Sequence, residues 1–406
     1  MNSGQDSGLN TAAHGSAGSN RLRELAALFL KLGAISFGGP AAHVALIEAE
    51  VVRKRQWITQ QQFLDMLGAA NLIPGPTSTE LAINIGYIRA GWAGLCVAGA
   101  SFILPAALIT GAFAWAYVRF GNFPQATSVL AGIKAAVVAV IVIAIWRLGK
   151  SAAKNMGLAL LGALALTCFF LRVDPLVILF AGGIAGMLAK RAATWRESAA
   201  LLLPTMLRSR NFPGVFLVST TVAAGAIAVR PSINQIALFF LKVGAVLYGG
   251  GYVLLAFLEQ GLVQQHGWLT RQQLLDAVAI GQFTPGPVLS TATFIGYMLA
   301  GAPGATVATL GIFLPSFLYV ALLAPVLFRL RRSAWISAFL DSVNVCAVAL
   351  MAGVTFKLGA DALRDWRSWI IALAALTVLL RWKISAAWVV LGGGIAGLLL
   401  VALHGG

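Results

Sequence analysis

The sequence predicts an all-α polytopic membrane protein, built from two homologous halves in an inverted-topology repeat whose helices are broken by glycine and proline. Composition, an internal repeat and the placement of basic residues lead to this prediction. The 406 residues are 59% hydrophobic and 10% charged, whereas soluble domains carry about 25% charged residues. A soluble enzyme is therefore excluded, and several membrane spans of about 20 residues each are expected.

The internal repeat covers nearly the whole chain. A shift of 211 residues aligns residues 30–80 with 241–291 without a gap, and a single deletion later reduces the shift to 210. The matched residues are ones that set backbone structure. They include Gly33/Gly244, Gly38-Gly39/Gly249-Gly250, Trp57/Trp268, Pro74-Gly75-Pro76/Pro285-Gly286-Pro287, and Gly182-Gly183-Ile184-Ala185-Gly186/Gly393-Gly394-Ile395-Ala396-Gly397.

Each half opens with two hydrophobic stretches that Gly and Pro break in the middle, and continuous spans follow. The first half places them at 24–52 and 61–90, then 92–117, 128–146, 155–171 and 176–189. The second half places them at 233–262 and 272–300, then 302–328, 334–356, 368–380 and 385–403. The predicted organisation is a disordered cytoplasmic tail (1–20), an N-terminal repeat (21–190), a linker with an extra transmembrane helix at 215–229 (191–232), and a C-terminal repeat (233–406).

The net charge of +16 is explained by membrane orientation. If each broken pair is a re-entrant hairpin, 19 Lys and Arg lie on one face, seven on the other and three within apolar segments. Cytoplasmic loops are enriched in these residues, so the richer face is assigned to the cytoplasm. An odd number of extra crossings inverts the second half, a common transporter arrangement. Short full spans remain the alternative to re-entrant hairpins. The cations flank apolar segments, so no nucleic acid partner is expected.

The repeated Pro-Gly-Pro breaks are the first candidates for a binding site. Non-helical backbone at membrane depth survives only beside protein or a water-filled cavity, and the half-helix that follows offers an N-terminus that favours anions. Hydroxyl groups come next in each half, at Thr77, Ser78 and Thr79 and at Ser290, Thr291 and Thr293. Two interpretations stay open: these hydroxyls bind an oxyanion, or they only cap the helix and bond to nearby carbonyl groups.

Ionisable residues within the apolar segments are the second candidates. Lys31 and Lys242 are symmetry mates that either flank a central divalent anion or extend to the membrane interface. Lys134 is a one-sided addition, because Asn344 occupies its aligned position. Glu80, aligned with Thr291, is the leading candidate for a proton-coupling carboxylate. Asp65 and Asp276 are proton-coupling or capping residues, and His43 is a relay or a structural residue.

Motifs for other chemistries are missing from the sequence. There is no Walker loop, Rossmann fingerprint, zinc-ligand spacing or nucleophile elbow. Cys96, Cys168 and Cys346 are isolated in apolar segments and predict neither a disulfide framework nor a metal site. We therefore expect no cofactor, no metal and no catalytic residues.

The motifs resemble those of the chromate ion transporter family, in its long two-domain form. The resemblance rests on Ser36-Phe37-Gly38-Gly39-Pro40, on Gln56-Trp57-Ile58-Thr59 ahead of Asp65, on Ile73-Pro74-Gly75-Pro76-Thr77, and on their duplicates. It implies a multi-pass protein of the bacterial inner membrane that exports chromate with the proton motive force and confers chromate resistance. The second half reads Tyr248-Gly249-Gly250-Gly251, without a counterpart of Pro40, so unequal roles for the halves are expected.

We expect alternating access around a midplane chromate site, with chromate, protons and the lipid bilayer as partners and a homodimer left open. Transport of sulfate or another oxyanion, a passive anion channel and, less favoured, a membrane-embedded enzyme are the alternatives. The expected substrate-binding residues are Lys31, Lys242, Gly38, Gly39, Pro40, Pro74, Gly75, Pro76, Thr77, Ser78, Gly249, Gly250, Pro285, Gly286, Pro287 and Ser290, and the proton-coupling candidates are Glu80, Asp65, Asp276 and His43.

Overall fold

The structure is a computed structural model that describes residues 6–37, 40–70, 73–121, 123–200, 231–247, 254–323, 334–382 and 384–402. All regular structure in these ranges is helical. The first half contains α1 Asp6–Ile35, α2 Pro40–Glu48, α3 Gln60–Ala70, α4 Thr77–Phe120, α5 Pro124–Ala152, α6 Met156–Phe170 and α7 Pro175–Ala200. The second contains α8 Ile233–Val246, α9 Leu254–Leu258, α10 Arg271–Phe283, α11 Thr291–Leu323, α12 Ala334–Ala362, α13 Trp366–Arg381 and α14 Ala386–Ala402.

Irregular turns recur at aligned positions in the two halves. Short π-helices occupy Ala49–Lys54 and Glu259–Gln265. Both α4 and α11 are kinked, at Ala90-Gly91 and at Ala300-Gly301, where each glycine has a positive φ. These kinks separate the second broken stretch from the span that follows it, as the sequence predicts. By length and composition, α4, α5, α11 and α12 are each able to cross a membrane.

The helices around each break are too short to cross a bilayer alone. Helix α3 has 11 residues, which is about 16 Å of helix, whereas the hydrocarbon core is about 30 Å thick. The segment of α4 between the Pro-Gly-Pro break and the kink at Ala90 is similarly short. These lengths favour re-entrant hairpins over short full spans.

The two halves are interlocked. Helix α5 of the first half packs against α13 and α14 of the second, and its counterpart α12 packs against α6 and α7 of the first. Helix α1 packs on α4, α8 packs on α11, and α4 meets α11 between the halves. Reciprocal packing of this kind relates the halves by an approximate two-fold axis.

The repeated glycine motifs lie at these reciprocal contacts. Gly393 and Gly397 of α14 meet the backbone of α5 at Gly132. In the equivalent contact of the other half, Gly183 and Gly186 of α7 meet α12 side chains. Small residues allow membrane helices to approach closely, so packing explains why the motif recurs in both halves.

The N-terminal segment differs from the sequence prediction, and the predicted extra helix is not described by the structure. Residues 6–20, predicted as a disordered tail, are helical and continue α1. A proline-free, alanine-containing segment can extend a helix that the apolar part of α1 has already nucleated. The predicted extra transmembrane helix at 215–229 lies outside the described residues.

Candidate oxyanion site at the helix breaks

The two Pro-Gly-Pro breaks exchange backbone hydrogen bonds between the halves. The Gly75 N–H donates to the Leu247 carbonyl oxygen at 2.8 Å, and the Gly286 N–H donates to the Ser36 carbonyl oxygen at 2.8 Å. Leu247 and Ser36 are aligned residues at the ends of α8 and α1. Gly75 and Gly286 have φ values of 144° and 85°, which favour glycine. Each break is therefore held against the first helix of the opposite half.

A fully buried carboxyl group lies at the first of these breaks. Glu80 stands in the first turn of α4, and neither carboxyl oxygen has a hydrogen-bond partner among the described residues. Its Oε1 and the Ser316 Oγ of α11 both lie against Gly75, where a Cβ would overlap with each of them. Ser316 belongs to the second half, so residues from both halves form this pocket of polar atoms.

Further buried polar groups stand next to Glu80 in the sequence or on segments that contact its sequence neighbours. Within the described part of the chain, the hydroxyls of Ser36, Thr79 and Ser316 are buried without a hydrogen-bond partner. His43 Nδ1 lies 3.4 Å from Ser78 Oγ, and the Ser36 backbone is within hydrogen-bonding reach of the same ring. We call this set the Glu80 cluster: Ser36, His43, Ser78, Thr79, Glu80 and Ser316. Unpaired buried polar groups are costly, so such a concentration is typical of a functional site.

The aligned break in the second half is more apolar and its hydroxyls are paired. Thr291, which replaces Glu80, donates to the Val288 carbonyl oxygen at 2.8 Å. Ser290 Oγ accepts from Thr110 Oγ1 at 3.2 Å. Leucines stand at 247, 254 and 289 where the first half has Ser36, His43 and Ser78. For Thr291 the structure thus agrees with the capping interpretation. Of the unpaired polar groups, Glu80 and Ser316 lie at the first break, whereas Ser36 ends the helix that is held against the second break.

A buried ion pair joins the halves at a different place. Lys134 Nζ of α5 lies 3.0 Å from Asp276 Oδ1 of α10, and both side chains are about 5% exposed. The Tyr117 hydroxyl of α4 donates to Asp276 Oδ2 at 2.8 Å. Removing one partner of such a pair leaves an uncompensated buried charge. Asp276 thus has a structural partner in the opposite half, which the sequence did not reveal.

Comparison with known proteins decides the family. A family model described as "Chromate transporter" matches residues 23–187 and 234–398, one match in each half. The chain belongs to the chromate transporter family. It is 34% identical over 386 residues to the chromate transport protein of Cupriavidus metallidurans, covering 94% of each chain. It is also 34% identical over 369 residues to the probable chromate transport protein of Synechococcus elongatus, covering 89% of this chain and 90% of that protein.

A third relative is the chromate transport protein of Pseudomonas aeruginosa, at 30% identity over 392 residues, with 94% of this chain and 93% of that protein covered. No solved structure matches the chain. Membership of the chromate transporter family identifies a multi-pass membrane transporter and not an enzyme, in agreement with the apolar helices and the two repeated halves.

Within this chromate transporter, the two symmetric lysines lie at the surface. Lys31 is 51% exposed in its side chain and pairs with Glu50 at 3.4 Å, alongside Lys54 and Arg55. Lys242 is exposed and lines a groove with Gln260 and His266. The described contacts do not bring either lysine to the Glu80 cluster.

The remaining predicted residues have mixed outcomes. Pro74, Pro76, Pro285 and Pro287 are buried at the breaks, and α2 begins at Pro40. Asp65 is half-buried and accepts from Gln61 at 3.3 Å. Gly38, Gly39, Gly249 and Gly250 lie outside the described residues.

Sequence reasoning missed three participants: Ser36, Ser316 and Tyr117. Aligning the halves for positions that are polar in only one half would have found them, since their counterparts are Leu247, Ala106 and Leu327.

Proposed function

We propose that this protein exports chromate across the bacterial inner membrane, driven by the proton motive force, and so confers chromate resistance. The substrate class comes from the family and from relatives named chromate transport proteins, which align over nearly their whole length. The observation that carries the proposal is the Glu80 cluster, a set of buried polar groups near the N-terminus of a half-helix. Four of its members, Ser36, Thr79, Glu80 and Ser316, have no hydrogen-bond partner in the described part of the chain.

The cluster offers the donors that a tetrahedral dianion needs. The hydroxyls of Thr79 and Ser316 would donate to the oxyanion, and the N-terminus of α4 would add the positive end of its dipole. The proposed binding set also keeps the residues that the sequence predicts: Gly38, Gly39, Pro40, Pro74, Gly75, Pro76, Thr77, Ser78, Gly249, Gly250, Pro285, Gly286, Pro287 and Ser290.

Glu80 would couple the bound anion to a proton. An ionised carboxylate and a dianion repel strongly in a medium of low dielectric constant, so chromate would bind only when Glu80 is protonated. The protonated carboxyl would then donate a further hydrogen bond to the anion. His43, in contact with Ser78, would pass the proton, while Asp65 and Asp276 have partners that fit structural roles better.

The membrane potential would set the outward direction. Moving one charge across 100 mV is worth about 2.3 kcal/mol, so an inside-negative potential drives a dianion outward by about twice that amount. A single accompanying proton leaves one net negative charge, which the potential still drives outward. That proton moves against an inside-alkaline pH gradient, so the electrical part of the proton motive force would drive export. Rocking of the two interlocked halves would expose the cluster to each face in turn.

The surface lysines would act at the entrances. Lys31 lies beside basic residues of the 53–55 loop, the face that charge counting assigns to the cytoplasm. Lys242 occupies the aligned position of the opposite half, and inversion places it on the other face. Each would raise the local concentration of dianions at its own mouth.

The test is transport of labelled chromate into everted membrane vesicles, in which export appears as uptake. We expect energised uptake that an excess of sulfate reduces, and higher chromate tolerance in cells that express the chain. Energised uptake of labelled sulfate by the same vesicles, without accumulation of chromate, would identify a sulfate transporter. Chromate accumulation that reaches the level expected for two charges per chromate and ignores a pH gradient would identify a channel and contradict the proposal.

A further inference from the structure

A second electropositive site lies away from the helix breaks. Arg172, Arg271 and Lys357 line a cavity of about 550 Å³ together with Phe170, Val263 and Gln264. These residues come from the end of α6, the second π-helix, the start of α10 and the end of α12. The Glu80 cluster shares none of them, so the site is distinct from the proposed transport site.

The three cations are a large share of the basic residues on their face of the membrane. Charge counting leaves only seven basic residues on the face opposite the cytoplasm, and three of the seven converge on this one cavity. Like charges repel, so a cluster of cations on a face that is otherwise poor in them calls for an anionic partner.

Acidic neighbours neutralise only part of this charge. Arg271 lies 3.4 Å from Glu259 and 3.6 Å from Asp361, and Asp361 is held more closely by Arg364, at 2.8 Å. Lys357 Nζ lies over the Phe169 ring, 4.4 Å from its centroid. Within the described part of the chain neither Arg172 nor Lys357 forms an ion pair, so two of the three lining cations have no carboxylate partner.

The backbone at Arg172 is a further sign that its side chain is needed. Arg172 follows α6 with a φ of 64°, in the left-handed region where helices usually place glycine. Any other residue there carries a steric cost. The chain accepts that cost and places a guanidinium group, the side chain best suited to bidentate binding of oxyanions, at the cavity.

The rim of the cavity is apolar and exposed. Phe170 and Phe356, whose ring centroids are 6.0 Å apart, are 47% and 71% exposed. In a membrane protein exposed apolar rings are expected to face lipid, and the basic side chains beside them indicate a position near the lipid–water interface, where their charged ends reach water. The cavity is therefore accessible both from the aqueous phase and from lipid headgroups.

We propose that this cavity binds a tetrahedral oxyanion at the interface between membrane and water, on the face opposite the cytoplasm. The shared chemistry is a phosphate-like group held by Arg172, Arg271 and Lys357. The source is either the phosphate of an anionic phospholipid or a free dianion released by the transporter.

The variants for the test are Arg172→Gly and Lys357→Gln, each made in the full-length protein. Arg172→Gly suits the left-handed backbone, so it is expected to fold at least as well as the original chain. Arg172→Lys keeps the charge as a rescue variant. Arg367→Ala is the matched control, because Arg367 is a basic residue on the same proposed face that stacks on Trp366 and does not line the cavity.

Two binding measurements separate the sources. Equilibrium dialysis with radiolabelled sulfate counts free oxyanions bound per chain, and native mass spectrometry compares retention of phosphatidylglycerol with phosphatidylcholine. We expect Arg172→Gly and Lys357→Gln to weaken one sulfate site or the retention of phosphatidylglycerol at least tenfold, with partial rescue by Arg172→Lys. Loss in dialysis identifies a free dianion, and loss in mass spectrometry identifies a lipid.

The proposal is overturned if both variants bind sulfate and phosphatidylglycerol as the Arg367→Ala control does. Failure of the Glu80 cluster to bind sulfate would remove the other site from the dialysis count and leave this one, so the two proposals fail separately.

Discussion

The hydroxyl groups of Thr79 and Ser316 illustrate how single residues give the first break its chemistry. Both are buried without a partner in the described part of the chain, one from each half. Leaving such groups unpaired costs about 1–3 kcal/mol each. A transported oxyanion that accepts hydrogen bonds from them would recover this cost during binding.

Removing these donors is therefore expected to weaken chromate binding without unfolding the protein. A hydrogen bond to a charged group contributes about 1.5–3 kcal/mol, so Ser316→Ala and Thr79→Val should each raise the KM for chromate roughly 10- to 100-fold. Thr306→Val, at an exposed hydroxyl that bonds only to its own helix, is the control. The KM is measured from initial uptake rates in everted vesicles, and equal KM values in all three variants would remove these hydroxyls from the site.

The sequence alone identifies Glu80, Lys31 and Lys242 as candidate site residues, but it does not say which groups surround each of them. Glu80 stands out because its aligned residue is Thr291, and the structure places it in a cluster of unpaired polar groups. Lys31 and Lys242 are symmetry mates that lie within apolar segments. Their positions along a helix do not say whether a long side chain turns inward or extends to the interface. In the structure Lys31 is half-exposed and paired to Glu50, which favours the second interpretation without placing a membrane interface.

At the scale of helices, close backbone contacts hold each half together. A Cβ on Gly33 would overlap with the Phe102 carbonyl group of α4, and a Cβ on Gly244 would overlap with the aligned Ile312 carbonyl group of α11. These contacts join α1 to α4 and α8 to α11, beside the two breaks. Glycine is thus required at both positions by the approach of one helix backbone to another.

Alanine at either position is expected to destabilise the protein. The carbonyl group belongs to a helix backbone and cannot turn aside, so Gly33→Ala and Gly244→Ala should each cost roughly 1–3 kcal/mol by overpacking. Gly149→Ala is the matched control, since its nearest neighbour, Val348 Cγ1, lies at 4.0 Å and alanine favours a helix. Thermal unfolding followed by size-exclusion chromatography ranks the three, and a loss in Gly149→Ala equal to that in Gly33→Ala would contradict the packing argument.

Helix breaks and kinks follow from glycine and proline, so the sequence predicts them well. The exchange of α13 and α14 onto α5, and of α6 and α7 onto α12, could not be predicted in the same way. Hydrophobic periodicity indicates that a segment is a helix, but apolar faces in a membrane are nearly equivalent and do not specify a partner. The recurring glycine motifs mark close contacts without identifying the helix that fills them.

At the scale of the whole molecule, the Lys134–Asp276 pair ties the two halves together. The pair is buried and also receives the Tyr117 hydroxyl, so it contrasts with exposed pairs such as Lys154–Asp341. An exposed pair contributes about 0–1 kcal/mol, whereas breaking a buried one costs about 3–5 kcal/mol.

A double-mutant cycle is expected to show this difference. Lys134→Met and Asp276→Asn should each destabilise the chain strongly, while the double variant should recover part of the loss because no buried charge remains. The same cycle at Lys154 and Asp341 should show almost no coupling. Thermal stability in detergent provides the readout, and additive losses at Lys134 and Asp276 would mean that the ion pair does not stabilise the interface between the halves.

The central claim is that chromate and a proton move together through the Glu80 cluster, and counting the charge moved with each chromate tests it most directly. In proteoliposomes with imposed potentials and pH gradients, net chromate flux through the original chain should stop at the potential and pH gradient expected when one net negative charge crosses per chromate. Glu80→Gln, which keeps the shape but cannot ionise, should carry chromate with two charges and ignore the pH gradient. Glu24→Gln, at an exposed carboxylate paired with Arg89, should behave like the original chain. Equal charge and equal pH response in the original chain and Glu80→Gln would contradict the account.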